Sequence, residues 1–580
     1  MKNNNKTLFK RFLKPYTGKV IAASSFGAFS GILTAVITLF IGKTVDTMVQ
    51  KNQVDFPKMF QLLLFLSLIV TIHALTQWGI QKLGNTIAYR FTRDIREEAF
   101  QHLNKLSANF YDTNRHGDII SRFTNDLELV SVAFTTVFNQ LFSGLAMIIV
   151  SLISMLLLNF KLTLIILVST LLMAWTNYIV ANKSQSSFRQ QQRQLGKMNG
   201  FLAETIQNQK LVTLLQQEEA TIETFETLNA ELHETGKKAQ FLSSLTNPLS
   251  RFVDHIGYLA IGLVGGLIMI HQPEAMTVGM ISSFILYAAQ FSKPIIELSS
   301  AFTQILAGVA GLNRIQFILE QTPEEVQDEQ TTLPAPKNGF IQFEDVSFAY
   351  EENHPILKNL NFDIQPGETV AIVGPTGAGK STIVNLIMRY YDVTNGTILV
   401  DEEPLARYQL NDFRKNFGLV LQEPWLFQAT LWDNLTFGAD HATEELVRTA
   451  CEEVGMMDFI DRLPDGFNTQ VDEHTLALSS GQKQLFTIAR VIINQPRFLI
   501  FDEATSSIDT VTDAIVQKSL QRLMQKRTSI VIAHRLGTIL NADKIIVLKD
   551  GEVAQIGTHA MLMDQTDGLY YNMFQSQFQS

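Results

Sequence analysis

The chain has 580 residues, 46 % of them apolar and 18 % charged, and a formal net charge of -10. That length exceeds one compact domain, and the acidic balance offers no surface for holding phosphate backbones, which excludes nucleic acid as a partner. The single cysteine, Cys451, beside Glu452 and Glu453, excludes an intrachain disulfide, lacks metal-ligand companions, and reads as a packing residue in a reducing compartment.

Residues 1–320 read as a membrane domain. Uncharged or nearly uncharged stretches recur at 20–42, 59–81, 129–160, 162–182, 256–270 with an upstream extension, and 275–292. Six helices of about 20 residues, enough to cross a hydrocarbon core of roughly 30 Å, are expected there. The first stretch is longer than a signal-peptide core and reads as a retained span. Asn159 and Lys161 interrupt the apolar run between the third and fourth, which predicts a very short outer turn at residues 158–161. Lys and Arg number six in residues 1–19, seven in 82–128 and seven in 183–240, against three, one and none in the intervening outer loops. Positive-inside bias therefore places both ends of the chain in the cytoplasm. Residues 91–106 and 211–232 carry helical apolar periodicity, so the membrane helices are expected to continue far beyond the bilayer. From Thr322 to Gly339 the chain turns acidic and Pro-bearing, without an apolar period, and reads as a linker over 321–339.

Residues 340–580 read as a soluble α/β domain. A strand-like run ending at Val373 leads into Gly374-Pro375-Thr376-Gly377-Ala378-Gly379-Lys380-Ser381 and then into a helical pattern beginning with Thr382. The glycines let backbone amides close around phosphates at a helix N-terminus, Lys380 neutralises the terminal phosphates, and the Ser381 hydroxyl suits a magnesium ion. A second strand, 497–501, delivers Asp502 and Glu503 to the edge where parallel sheets place ligands. Asp502 suits magnesium and Glu503 suits a base for water. The inventory fits phosphoryl transfer from ATP to water with Mg2+.

Leu478-Ser479-Ser480-Gly481-Gln482-Lys483-Gln484, just upstream of that strand and opening a helix, resembles the signature motif of ABC ATPases. The resemblance covers residues 340–580 in order and spacing. It implies that Tyr350 stacks on adenine, Gln422 approaches magnesium, residues 506–509 form the D-loop, and His534 contacts the terminal phosphate. Ser479, Ser480, Gly481 and Gln482 are implied to meet the ATP of a second subunit. Phe110-Tyr111-Asp112 with residues 117–126 resembles the first inner loop of ABC exporters, where a short transverse helix docks on the ATPase, and residues 208–218 stand where the second docking helix is expected.

The signature departs from the family pattern. Ser480 stands where glycine is usual, and Val471-Asp472-Glu473-His474-Thr475 lacks two glycines common in that loop, with only Glu473 matching. A side chain at 480 limits backbone freedom near the partner's phosphates. A full phosphate-loop face joined to a weakened signature resembles one half of a heterodimeric bacterial multidrug exporter, so a second ABC half-transporter is the expected partner. A homodimeric lipid or lipopeptide exporter is the alternative, and an ATP-dependent membrane sensor that transports nothing is the reading from another class. Substrates are expected to be hydrophobic or amphipathic. Polar residues within the spans, among them Asn139, Gln140, Asp254, His255 and Gln290, are the candidates for touching them, with Arg251 an equally good ion-pair partner for Asp254.

Overall fold

The computed structural model describes residues 4–49, 54–272, 274–324, 333, 335–351, 354–421, 424–439, 441–472, 476, 478–502, 510–532 and 539–578. Contacts divide the chain into two compact units, Met1–Asn104 with Arg115–Gln321, and Lys105–Asn114 with Thr322–Ser580.

The first unit is helical. Its elements are α1 (Asn4–Leu13), α2 (Thr17–Met48), α3 (Phe56–Leu103), α5 (His116–Ser121), α6 (Leu127–Thr136), α7 (Ser143–Leu158), α8 (Phe160–Gln207), α9 (Gln209–Leu214), α10 (Glu218–Ser244), α11 (Thr246–His271) and α12 (Val278–Leu319). α4 (Ala108–Thr113) belongs to the second unit. Among the described residues, six stretches are long and apolar enough to cross a membrane: Phe9–Met48, Phe56–Leu103, His116–Leu158, Phe160–Gln207, Glu218–His271 and Ala301–Leu319. α12 is one continuous helix holding both Ala301–Leu319 and most of the 275–292 stretch read from sequence. α3 and α8 have 48 residues each, or about 72 Å at 1.5 Å per residue, far more than a bilayer core requires. They therefore run on beyond the apolar stretches; of the two amphipathic segments read from sequence, 91–106 falls largely on the end of α3, whereas 211–232 lies in α9 and the first half of α10 and does not continue α8.

The turn between α7 and α8 is a single residue, Asn159, in extended conformation. Its side chain accepts from the backbone N–H of Lys161 at 3.0 Å and of Leu162 at 3.2 Å, capping α8. Large apolar side chains such as Leu157, Leu171 and Leu259 are exposed, as a lipid-facing surface requires. Inside, Phe91 packs on Phe134 with ring centroids 4.3 Å apart. Arg314 grips the buried Asp126 through Nε and a terminal nitrogen. Gly311 makes that approach possible, since a Cβ there would stand 2.6 Å from the Asp126 carbonyl oxygen.

The second unit has two sheets. β1 (Ile341–Glu351), β2 (His354–Ile364), β4 (Asn395–Val400) and β5 (Glu403–Pro404) form an antiparallel sheet in the order β2-β1-β4-β5. β3 (Thr369–Val373), β6 (Phe417–Val420), β7 (Phe498–Asp502), β8 (Thr528–Ile532), β9 (Lys544–Lys549) and β10 (Glu552–Gly557) form the other, ordered β10-β9-β3-β8-β7-β6 and parallel except for β10. The parallel strands are near-continuous apolar runs because both faces are covered. Ala371, Val373, Leu499, Phe501 and Val531 enter one core with α15 (Leu431–Leu435), α16 (Glu444–Glu453), α17 (Met457–Ile460) and α18 (Ser480–Asn494). Their alternates Val370, Ile372, Phe498, Ile500 and Ile530 enter the other core with α13 (Lys380–Ile387), α14 (Leu410–Arg414) and the antiparallel sheet. α19 (Thr510–Met524) covers the first face.

Candidate functional site

β3 ends at Val373 and the chain turns through residues 374–379 into α13. Gly377 and Gly379 have φ of +85° and +98°, a region costly for any side chain. Gly374 is needed for space, because a Cβ there would stand 2.5 Å from the Leu548 carbonyl oxygen. The loop presents the unpaired N–H groups and positive dipole end of α13 to whatever lies above it. Pro375, Thr376, Gly377 and Ser381 are exposed, while Ala378, Lys380 and Thr382 are buried. The Lys380 ammonium donates to the carbonyls of Gly374 at 2.8 Å and Pro375 at 3.1 Å, so it lies folded along the loop. Burial pushes its pKa below the usual lysine range, and the Asp502 carboxylate opposes that shift.

Asp502 closes β7 two strands from β3. Both Asp502 and Ile372 pair with Ile532 of β8, so the carboxylate stands level with the end of β3, about 10 Å across the sheet. The Ser381 hydroxyl and the Asp502 carboxylate are hard oxygen donors on the edge where parallel sheets bind ligands, a set that fits Mg2+. Tyr350, near the end of β1, is 47 % exposed, which leaves a ring face available. Its hydroxyl donates to Thr382 Oγ1 at 3.4 Å and accepts from Asn385 Nδ2 at 3.0 Å, fixing the ring beside α13. The structure thus brings together Tyr350, residues 374–382 and Asp502.

It does not bring Ser479, Ser480, Gly481 and Gln482 to them. Those residues start α18, whose buried side joins the core on the opposite face of the parallel sheet. Ser479 caps α18 reciprocally with Gln482: its Oγ accepts from Gln482 N at 3.2 Å, and Gln482 Oε1 accepts from Ser479 N at 3.0 Å. Gly481 is buried against the helix packing. Ser480 is exposed and absent from the positive-φ residues, so its backbone is unstrained. Loss of glycine there costs no conformational freedom that this helix uses. Any effect on a partner's nucleotide must come from the added Cβ and hydroxyl. Gln422, Glu503 and His534 lie outside the described residues, as do Glu473, His474, Thr475 and residues 506–509.

Sequence reading assigned no role to Asn385, although it lies one helical turn beyond Thr382 and so had to share its face. It also passed over Tyr391, whose ring meets Tyr350 edge-on at 4.9 Å. In the membrane unit, Asp254 is hydrogen-bonded to Ser292 and no ion pair among the described residues joins it to Arg251. His255 stands edge-on to Tyr258 at 5.8 Å.

Residues 20–295 match the family described as ABC transporter transmembrane region, and residues 357–506 match the family described as ABC transporter. An uncharacterized ABC transporter ATP-binding protein of Bacillus subtilis is 35 % identical over 98 % of this chain and 93 % of its own length. A fatty acid ABC transporter ATP-binding/permease protein of Mycobacterium tuberculosis is 34 % identical over 90 % of this chain and 82 % of its own. A Bacillus subtilis protein named "probable multidrug resistance ABC transporter ATP-binding/permease protein" is 32 % identical over 86 % of this chain and 74 % of its own.

Proposed function

The chain belongs to the ABC transporter family as an exporter-type half-transporter, a multi-pass membrane protein whose cytoplasmic ATPase couples ATP hydrolysis to transport, and we propose that it expels hydrophobic or amphipathic compounds as one half of a heterodimer. Residues 1–320 form the membrane domain, 321–339 the linker and 340–580 the ATPase. The observation that carries the reading is the asymmetry of its two nucleotide faces: an intact phosphate loop with Asp502 and Tyr350, and a signature in which Ser480 replaces glycine.

Tyr350 stacks on the adenine. Backbone amides of residues 374–382 hold the phosphates, and Lys380 exchanges its carbonyl partners for the terminal phosphate oxygens. Ser381, Asp502 and Gln422 would hold Mg2+, which would supply neutralisation of the charge on the terminal phosphates. Glu503 orients and deprotonates water, and His534 steadies the departing phosphate. Ser479, Ser480, Gly481 and Gln482 close over the partner's ATP, where the Ser480 side chain holds the phosphate off and slows hydrolysis. Closure and reopening of the ATPase pair drive the membrane helices between inward-facing and outward-facing states.

The test is ATPase activity and drug efflux in inverted vesicles, with the chain alone or co-expressed with its candidate partner, each beside a Glu503→Gln control. Activity that needs the partner and vanishes in the control supports the heterodimer. Robust Glu503-dependent activity from the chain alone replaces it with a homodimer. The fatty-acid relative favours lipid export as the second reading. Efflux that follows a lipid and ignores drugs would establish it.

A further inference from the structure

Arg414, the last residue of α14, joins parts of the second unit that lie far apart in the chain. Its Nε donates to the Met388 carbonyl at 3.0 Å, and one terminal nitrogen donates to the Arg389 carbonyl at 2.6 Å. Both terminal nitrogens also donate to the Glu324 carboxylate, in two bonds of 2.8 Å each. Four of the five guanidinium N–H groups are thereby used, and the central carbon lies over the Tyr390 ring, 5.0 Å from its centroid.

The two carbonyls belong to the end of α13. The Tyr390 N–H donates to the Asn385 carbonyl at 2.9 Å and the Arg389 N–H to the Leu386 carbonyl at 3.0 Å, which closes the helix in a Schellman turn. Arg389 holds the left-handed place in that turn with φ of +50°, where glycine is usual. The carbonyls just past a helix carry its negative dipole end and favour a cation. At its other end α13 opens from the phosphate loop, at Lys380. Its eight residues make one rigid rod of about 12 Å, so the loop and the Arg414 grip are the two ends of a single piece.

Glu324 stands early in the linker, five residues after α12 ends at Leu319. Its backbone N–H donates to the Lys105 carbonyl at 2.7 Å, two residues past the end of α3. The Arg414 and Glu324 side chains are only 22 % and 26 % exposed, so water screens the pair weakly. A passive tether would need neither bond.

We propose that Arg414 is a positioning residue that couples the phosphate loop to the chain leaving α12, with Glu324 as the point at which it holds the linker. The proposal rests on the exporter reading and adds a route beside the docking helix α4. A shift of the loop on binding nucleotide moves α13 as one piece, and Arg414 passes that shift to Glu324. Lysine cannot replace it, because three donors on one nitrogen lack the planar fork.

The test is hydrogen exchange read by mass spectrometry on the full-length protein in lipid nanodiscs, with and without ATP and Mg2+. In wild type ATP should slow exchange in residues 374–387 and change it about tenfold in residues 301–321. Glu324→Ala leaves both carbonyl bonds of Arg414 in place. Its response at 374–387 should therefore match wild type while that at 301–321 falls below about twofold, with basal ATPase retained. Arg414→Lys should lose the 301–321 response as well. A merely structural grip would speed exchange at 374–387 without nucleotide and leave the 301–321 response intact. A response there that survives in either variant, or is missing in wild type, overturns the coupling role. Should Glu324→Ala fail to fold, Glu324→Gln, which drops the charge and keeps one acceptor, decides by the same criterion. An ATP response at 374–387 that is absent, or that persists in a Lys380→Ala control, would instead sink the exporter reading, whatever happens at 301–321.

Discussion

The hydroxyl of Tyr391 donates a hydrogen bond to the carboxylate of Asp112 on α4, while its ring stands edge-on to Tyr350 with centroids 4.9 Å apart. Tyr350, the adenine platform of the proposed mechanism, is thereby one aromatic contact from the short helix that follows the long membrane helix α3. Burial, reinforced by Asp112, raises the phenol's pKa, so the donor stays protonated throughout the working range. Tyr391→Phe keeps the ring and deletes one bond to a charged acceptor, worth about 1.5 to 3 kcal/mol. ATP binding should be unchanged while substrate-stimulated ATPase falls roughly tenfold. Asp112→Asn should fall similarly, and the double variant should be no worse than either single one. Additive losses would show that the two residues act separately.

Asp401 gathers four backbone N–H groups, from Lys337 at 2.6 Å, Asn338 at 2.8 Å, Gly339 at 2.9 Å and Phe340 at 3.1 Å, and so ties the entry of β1 to the end of β4. Burial acts to raise its pKa, but the four donors outweigh it and hold the carboxyl below its usual range. The resulting stability is fully present above the unfolded value of about 3.9 and lost as pH falls through the lower folded value. Its φ of +50° suits Asn as well as Asp. Asp401→Ala should therefore cost about 2 to 3 kcal/mol at neutral pH and Asp401→Asn less. In acid melts the gap between wild type and Asp401→Asn should close. A gap constant with pH would mean that the carboxylate charge contributes nothing.

Ser480 offers a third measurement. As an exposed first residue of α18 with ordinary helical φ, it can become glycine at a cost of about 0.5 kcal/mol or less. If its side chain holds a partner's phosphate away, Ser480→Gly should raise turnover several-fold in the assembled transporter, with Ser480→Ala between the two. Unchanged turnover in both variants would mark the serine as neutral.

The phosphate loop was legible because glycine spacing, flanking strand and following helix all state one geometry, and the alternating burial of residues 370–373 and 498–501 follows from strand period. The turn at Asn159 was legible because Asn159 and Lys161 break an otherwise apolar run, while the capping of α8 by the Asn159 side chain emerged only from the structure. The fourfold grip of Asp401 and the Tyr391–Asp112 bond were not, because each joins residues distant in sequence: 279 positions separate the latter pair. The unpartnered oxygens of Asn139 and Gln140 were hidden differently. Their residues stood out as polar in an apolar span, but an acceptor without a donor is visible only once its surroundings are placed. At position 480 the helix N-terminal geometry asks nothing unusual of φ, so the serine is accommodated in α18 without backbone strain.

Cys451 supplies a reporter for these measurements. It is fully buried in α16 against the core that contains α18 and β7, and burial pushes its thiol up to about 12. At pH 8 an ordinary thiol with pKa near 8.5 is roughly a quarter thiolate, whereas one at 12 is about one part in ten thousand. Both the chemistry and the packing therefore predict no maleimide labelling of the native protein and stoichiometric labelling after unfolding. As the chain has one cysteine, labelling rate at increasing denaturant reads opening of the ATPase core without further engineering. Asp401→Ala should shift that rate to lower denaturant while Tyr391→Phe leaves it in place. Rapid labelling of the native wild-type protein would mean that α16 opens locally, and would remove the case for Cys451 as a packing residue.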